Sequence, residues 1–325
     1  MVAKSPPAVS ELRDAGTRNW LLNHPAFAES AYGKSLKAQP LGFIDIGARG
    51  GVSEVVRPIA GATAVLGFEP DESEAQALRD AHAASPVYQS FEVRCAAVAG
   101  TTGPRDFYET AKGVNSSLLR PSESFASRYQ VPGFAIENIA SCQTDTLDKI
   151  IYETHESAAP YGEFLKLDVQ GAELEVLQGA ERVLSERTVA VVAEVSFCEL
   201  YENQPLFGDV ASFLKSKGFG FYGFHAMSHR ASHLRYLLNN QNSAWSQRLI
   251  QGDAIFFRED LVISRPLKAS FRARAVLTCV ALLLGYYDFA DELHNLNSGE
   301  TVGQKQAFLE LLEQLASKSP RKRPT

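Results

Sequence analysis

Two short apolar runs constrain this chain more than any other feature. FIDIGARGG (43–51) and EFLKLDVQGAELEVLQGAE (163–181) each carry an aspartate, Asp45 and Asp168, to the end of a β-like segment and follow it with glycine. A parallel α/β sheet delivers acidic groups and bare backbone in this way to the carboxyl ends of its strands, where such folds bind ligands. Around these runs the sequence alternates. LGFIDIG reads as a buried strand closed by glycine, and VSEVVRPIA as a short helix from Ser53. ATAVLGFE is a strand, DESEAQALRDAHAAS a helix with acids in its first turn, and VYQSFEVRCAAVAG a third strand region. That succession demands parallel pairing through right-handed crossovers.

The alternation pauses over about 100–143, a stretch of turn formers with two β-like pieces, FYE and NIASCQ. An insertion with a local hairpin over the sheet edge is expected there. Helix and strand then resume: TDTLDKIIYET, EFLKLD, GAELEVLQGAERVL, TVAVVAEVSF, DVASFLKSKG, FGFYGF and GDAIFFR, the last two both strands. The fold class is therefore α/β, a doubly wound and mostly parallel seven-stranded sheet over 41–258. Residues 1–40 form a helical lead-in, and 259–325 a helical segment with a basic tail. In that segment Phe308, Leu311, Leu312 and Leu315 mark one helix face, expected to pack on the α/β domain or on a second copy as a homo-oligomer.

Charge and cysteine usage exclude several classes. A net charge of −6 argues against nucleic-acid binding, which needs a basic footprint, and the terminal SKSPRKRP is a short solvated cluster. Cys95, Cys142, Cys198 and Cys279 form no C-x-x-C pair, which leaves free thiols in a reducing compartment. The first residues hold no apolar signal core, and AVLTCVALLLGYY (275–287) is interrupted by Gly285. That run falls short of the roughly 20 residues a bilayer requires. A cytoplasmic protein with no transmembrane segment is expected.

FIDIGARGG, FEP (68–70), TLDKII (146–151) and LDVQGAELEVLQGAE, in this order, resemble the FkbM-type family of S-adenosylmethionine-dependent O-methyltransferases. The resemblance implies a class I, Rossmann-like methyltransferase with strand order 3-2-1-4-5-7-6. It also implies S-adenosyl-L-methionine as cofactor and a small-molecule or glycan hydroxyl acceptor.

The loop Gly47-Ala48-Arg49-Gly50-Gly51 spaces its glycines G-x-x-G-G, so the G-x-G-x-x-G of dinucleotide sites is missing. A donor without phosphates needs instead an acid for its ammonium and bare amides for its carboxylate, which suits Asp45, Gly47, Arg49 and Gly50; a capped turn is the plainer reading of Asp45. Glu69, about 20 residues on, stands where a carboxylate accepts ribose hydroxyls. Ala97, between Ala96 and Val98, lines an adenine slot or simply belongs to core. Asp168 is a candidate to orient or deprotonate the acceptor hydroxyl, and Glu194, an acid inside the apolar strand AVVAEV, points to the same rim. The family usually carries D-V-E-G where this chain has Asp168-Val169-Gln170-Gly171, which weakens any metal site. His225, His229 and His233 recur every four residues; surface histidines in a loop are the plain reading, with His229 a candidate base and His225 a candidate substrate contact. Asn115 and Ser116, beside Ser117, offer neutral hydrogen bonds to a polyhydroxylated substrate or are turn residues. Two other classes remain open: a non-catalytic interaction protein that retains the fold, and a nucleotide-dependent oxidoreductase.

Overall fold

A computed structural model describes residues 18–154, 161–232, 247–260, 270–296 and 301–317. His233, Pro266, the basic tail after Ser317 and the start of the lead-in lie outside the described residues. Helices α1 (Pro25–Glu29) and α2 (Ala31–Ala38) lead into β1 (Leu41–Ile46), a 3-10 helix (Glu54–Ala62), β2 (Thr63–Phe68), α3 (Glu72–Ala84) and β3 (Ser90–Arg94). The insertion follows as β4 (Ala97–Val98), β5 (Gly103–Thr110), α4 (Glu123–Tyr129) and β6 (Ile136–Asp145). The chain then returns through α5 (Leu147–Lys149), β7 (Phe164–Leu167), α6 (Glu173–Gln178), α7 (Glu181–Glu186), β8 (Ala190–Ser196), α8 (Phe207–Ser216), β9 (Phe219–Arg230) and β10 (Arg248–Arg258). Three helices close it: α9 (Phe271–Leu283), α10 (Tyr287–Asn295) and α11 (Val302–Ser317).

The main sheet has seven strands in the order β3-β2-β1-β7-β8-β10-β9, parallel except for β10, which runs antiparallel to both its neighbours. Counted within that sheet the order is 3-2-1-4-5-7-6, as the family resemblance implies. The insertion is a separate three-stranded sheet, β4-β6-β5, whose β5 and β6 form the expected hairpin.

Alternating side chains of the main sheet divide two cores. Ile44, Leu66, Leu165, Val191 and Phe256 pack under α6, α7 and α8. Phe43, Val65, Phe164, Val192 and Phe257 meet α2, the 3-10 helix and the C-terminal helices. The crossover after β1 is only the nine-residue 3-10 helix, interrupted by Pro58, and too short to roof the sheet alone. Helix α9 packs on it and on α2, with every side chain from Ala275 to Leu283 buried. The C-terminal helices are thus one layer of the sandwich. The face marked by Phe308, Leu311, Leu312 and Leu315 is covered within the chain.

Two local readings change. GAELEVLQGAERVL is two helices, α6 and α7, and at the break between them Gly179 passes so close to the Ala99 carbonyl that a side chain there would come within 2.5 Å of it. The strand FGFYGF continues to Arg230, so His225 and His229 sit inside β9 at the sheet edge, in neither a loop nor a helix. Backbone pairing with β10 holds them there.

Candidate functional site

The carboxyl ends of β1, β2 and β7 open into a cleft roofed by the insertion. Gly47, Glu69, Ala97, Phe107, Ser116 and Asp168 are among its lining residues. Gly47 has φ +88°, and a Cβ there would lie 1.9 Å from the Asp168 carbonyl oxygen. Only glycine lets the first loop pass so close to the β7 turn. Its amide and that of Ala48 donate to Phe68 O, each over 3.0 Å, which fixes the loop against the end of β2.

Glu69 is 3% exposed at that strand end, and its Oε1 accepts from the Asp71 amide over 2.9 Å. Burial raises its pKa, with the Asp71 amide and Arg49 acting the other way. Arg49 reaches from the glycine loop across the mouth to Glu74 (3.0 Å) and Asp71 (3.4 Å), with Glu69 at 3.9 Å. Asp71 takes the helix cap, accepting from Ser73 N and Glu74 N, so the carboxylate of Glu69 is not consumed by α3.

The β7 turn organises the other end. Gln170 adopts φ +54° and Gly171 φ +102°. Glu173 Oε1 accepts from Val169 N and Gly171 N, stitching the turn, and burial pushes its carboxyl up to about 7. Gln170 Nε2 donates to Asp168 Oδ1 (2.7 Å) and Glu194 Oε2 (3.0 Å), while the Tyr201 hydroxyl lies 3.0 Å from Gln170 Oε1. Gln251 Nε2 donates to Glu194 as well. Lys166 stands 3.6 Å from Asp168 and 3.5 Å from Asp253. Burial pulls its pKa down, but Asp168, Asp253, Asp45 and Glu194 together outweigh that and raise it. Burial, followed by Asp168, holds the Glu194 carboxyl well above the usual range.

Several candidates lie elsewhere. Asp45 does not line the cleft. Its Oδ2 accepts from Ser53 N over 2.7 Å, the capped turn, and burial pushes its carboxyl up to about 7. Gly50, with φ +78°, shapes the loop without lining the cleft. Asn115 is turned to Gly133 O, whereas Ser117 Oγ donates to Gln170 O and ties the insertion to the β7 turn. His225 and His229 are two strands beyond β8, which carries Glu194. Glu194 itself lies behind Gln170 rather than on the cleft wall. Lys166, Tyr201 and Gln251 also belong to this network. In the sequence Lys166 had a signal, a lone cation inside the apolar FLKL; the other two had none.

The Methyltransferase FkbM domain family matches residues 45–221. The chain belongs to the FkbM methyltransferase family. S-adenosylmethionine is the methyl donor of that family. Among solved structures this FkbM chain is similar to the methyltransferase FkbM from Methylobacillus flagellatus KT, with 15% identity and a TM-score of 0.37. That overlap covers 67% of this chain but 43% of the other, so the chain matches less than half of that relative's length. The magnesium protoporphyrin IX methyltransferase from Synechocystis PCC 6803, solved with bound SAM, is 10% identical with a TM-score of 0.33, covering 69% of this chain and 74% of that one. The bifunctional kinase–methyltransferase WbdD is 11% identical with a TM-score of 0.34, covering 77% and 45%. A search of curated protein sequences found no match. The family rests on the match over 45–221 and not on these loose overlaps.

The cleft fits the donor on its own terms. The bare backbone of Gly47 lines the cleft, Glu69 offers a buried acceptor at the end of β2, and Ala96, Ala97 and Phe107 give an apolar slot beside it. Among the described residues no helix is long and apolar enough to cross a membrane.

Proposed function

We propose that this FkbM-family chain transfers a methyl group from S-adenosylmethionine to a hydroxyl of a sugar, glycan or natural product. One observation carries the reading: Glu69 and Asp168 stand on one cleft, at the ends of β2 and β7, with the insertion over it. Glu69 would hold the ribose hydroxyls, Ala97 and Phe107 would flank the adenine, and the loop at Gly47 would face the methionine part. When bound, the donor supplies an electrophilic methyl group on a sulfonium.

The chain's own part is orientation and proton handling. Asp168 is fixed by Gln170 and Lys166 and aligns an acceptor hydroxyl at the cleft. Glu194, joined to Asp168 through the Gln170 amide, is held well above the usual carboxylate range by burial and then by Asp168, so it backs the site rather than adding a second charge to it. The four free cysteines support a reducing, cytoplasmic setting.

Gln170 also favours a second reading, a donor-binding protein without turnover, because its amide occupies both carboxylates. Calorimetry with S-adenosylhomocysteine beside NADH, followed by transfer of labelled methyl to a panel of sugars, separates the readings. Transfer abolished by Asp168→Asn supports the enzyme. Tight S-adenosylhomocysteine binding with no transfer to any hydroxyl supports the second reading, and NADH binding alone overturns both.

A further inference from the structure

An acidic chain carries, beside this rim, a cluster of arginines without an ion pair among the described residues. Arg248 on β10 and Arg230 on β9 are direct cross-strand partners. Like charges placed opposite each other in a sheet repel, and natural sheets commonly pair such a position with the opposite sign. Arg248 Nη1 donates to the Tyr129 hydroxyl over 3.5 Å, and the Arg128 guanidinium stands 5.4 Å from the centre of the same ring. The buried thiol of Cys198 feels both Arg248 and Arg128. Among the described residues none of the three arginines makes an ion pair. Two acids follow β8: Glu202 is taken by Arg120 at 3.6 Å, and Glu199 makes no ion pair with the three arginines among the described residues. Residues 233–246, which join β9 to β10, contain no Asp or Glu.

The cluster lies on the reactive side of the sheet. β10 runs antiparallel to β8, and Gln251 faces Ser196 at the carboxyl end of β8, so Arg248 projects beyond that end. A bulge at Ile250 re-aims the residues before it. Gln251 donates to Glu194, and Arg248 is three residues earlier, roughly 10 Å along an extended strand. Charge is therefore sorted across the rim. Asp168 and Asp253 share the one cation Lys166 at the reacting end and leave no positive charge over for an anion, while Arg128, Arg230 and Arg248 attract one at the far end.

We propose that Arg128, Arg230 and Arg248 form an anion subsite that holds the phosphate of a phosphorylated acceptor, a sugar phosphate or nucleotide sugar, with its hydroxyl directed to Asp168. This rests on the methyltransferase reading for the fate of the hydroxyl, but the anion subsite stands on its own geometry. Guanidinium groups meet phosphate through paired, charge-assisted hydrogen bonds.

The test is calorimetric titration of the full chain with inorganic pyrophosphate at low and high salt. Binding is expected to weaken with salt and to fall roughly tenfold in each of Arg230→Gln and Arg248→Gln, the change that loss of a charge-assisted hydrogen bond produces. Arg182→Gln on α7 is the control and should bind as wild type. S-adenosylhomocysteine is titrated in parallel: its failure to bind wild type would sink the methyltransferase reading and leave the subsite intact. Pyrophosphate affinity unchanged in the folded Arg230→Gln and Arg248→Gln chains overturns the subsite. Arginine-dependent sedimentation with phosphatidylserine vesicles, without pyrophosphate binding, overturns it in favour of a lipid surface. If either variant melts early, Arg128→Gln replaces it.

Discussion

Gln170 Nε2 lies 3.0 Å from Glu194 Oε2 and 2.7 Å from Asp168 Oδ1, so one neutral amide joins two carboxylates that would otherwise face each other. The Tyr201 hydroxyl at Gln170 Oε1 fixes which way the amide points. A glutamate here, as in the family's usual D-V-E-G, would bring a third carboxylate to the same point, and a cation would be needed to hold the three together.

Gln170→Glu should therefore destabilise the metal-free protein by about 1–3 kcal/mol at pH 8. The new carboxyl's pKa is raised in the folded state, so the penalty grows as pH rises and disappears below the unfolded pKa of about 4.3. Urea unfolding at pH 8 and pH 5 checks this. Wild-type transfer should be indifferent to EDTA; activity lost on chelation and restored by magnesium would refute that expectation.

Glu69→Ala should weaken S-adenosylhomocysteine binding by about 1.5–3 kcal/mol, the worth of hydrogen bonds to a charged group. Calorimetry on a variant with a wild-type melting profile measures it. Unchanged affinity would remove Glu69 from the ribose site.

Gly47→Ala should abolish donor binding and cost stability, since a Cβ would meet the Asp168 carbonyl at 1.9 Å and φ is +88°. Backbone rather than a flexible side chain is in the way, so the β7 turn must move. A variant that binds S-adenosylhomocysteine as wild type would show that the two loops are not coupled.

The Glu173 carboxyl is raised to about 7 by burial. A raised carboxyl contributes stability that is complete below its unfolded pKa and lost as pH climbs through the folded value. Glu173→Gln should accordingly flatten the pH dependence of unfolding between about pH 4.5 and 7, by on the order of 1–3 kcal/mol across that window. A variant whose unfolding free energy tracks wild type in parallel over that range would contradict the assignment.

Arg272 on α9 grips Glu163, just before β7, through two contacts of 2.7 Å, and also donates to Gln39 O and Pro40 O. Arg272→Met leaves the Glu163 carboxylate stranded and should cost about 3–5 kcal/mol, with much of it recovered in the Arg272→Met/Glu163→Gln double variant. Thermal unfolding reads the cycle. Deleting residues from 266 onward should prevent folding, because the buried run Ala275–Leu283 is core and not an appendage.

The sequence alone determined where β1, β2 and β7 stop. Short apolar runs closed by Asp45, Glu69 and Asp168 fix where a parallel sheet stops, and a strand's period of two says which residues share a face. Strand content and the insertion hairpin follow from that local information. Partners across strands do not. Asp45 and Asp168 look alike in sequence, yet Asp45 is spent on the Ser53 amide while Asp168 lines the cleft. His225 and His229 follow a four-residue spacing, but pairing with β10 extends β9 through both and takes them to the sheet edge. Helix α9 reads as an addition after the last strand. It becomes a layer of the core because the 3-10 helix after β1 is too short to cover the sheet. Register, crossover length and burial set these outcomes, and each depends on residues far apart in the chain.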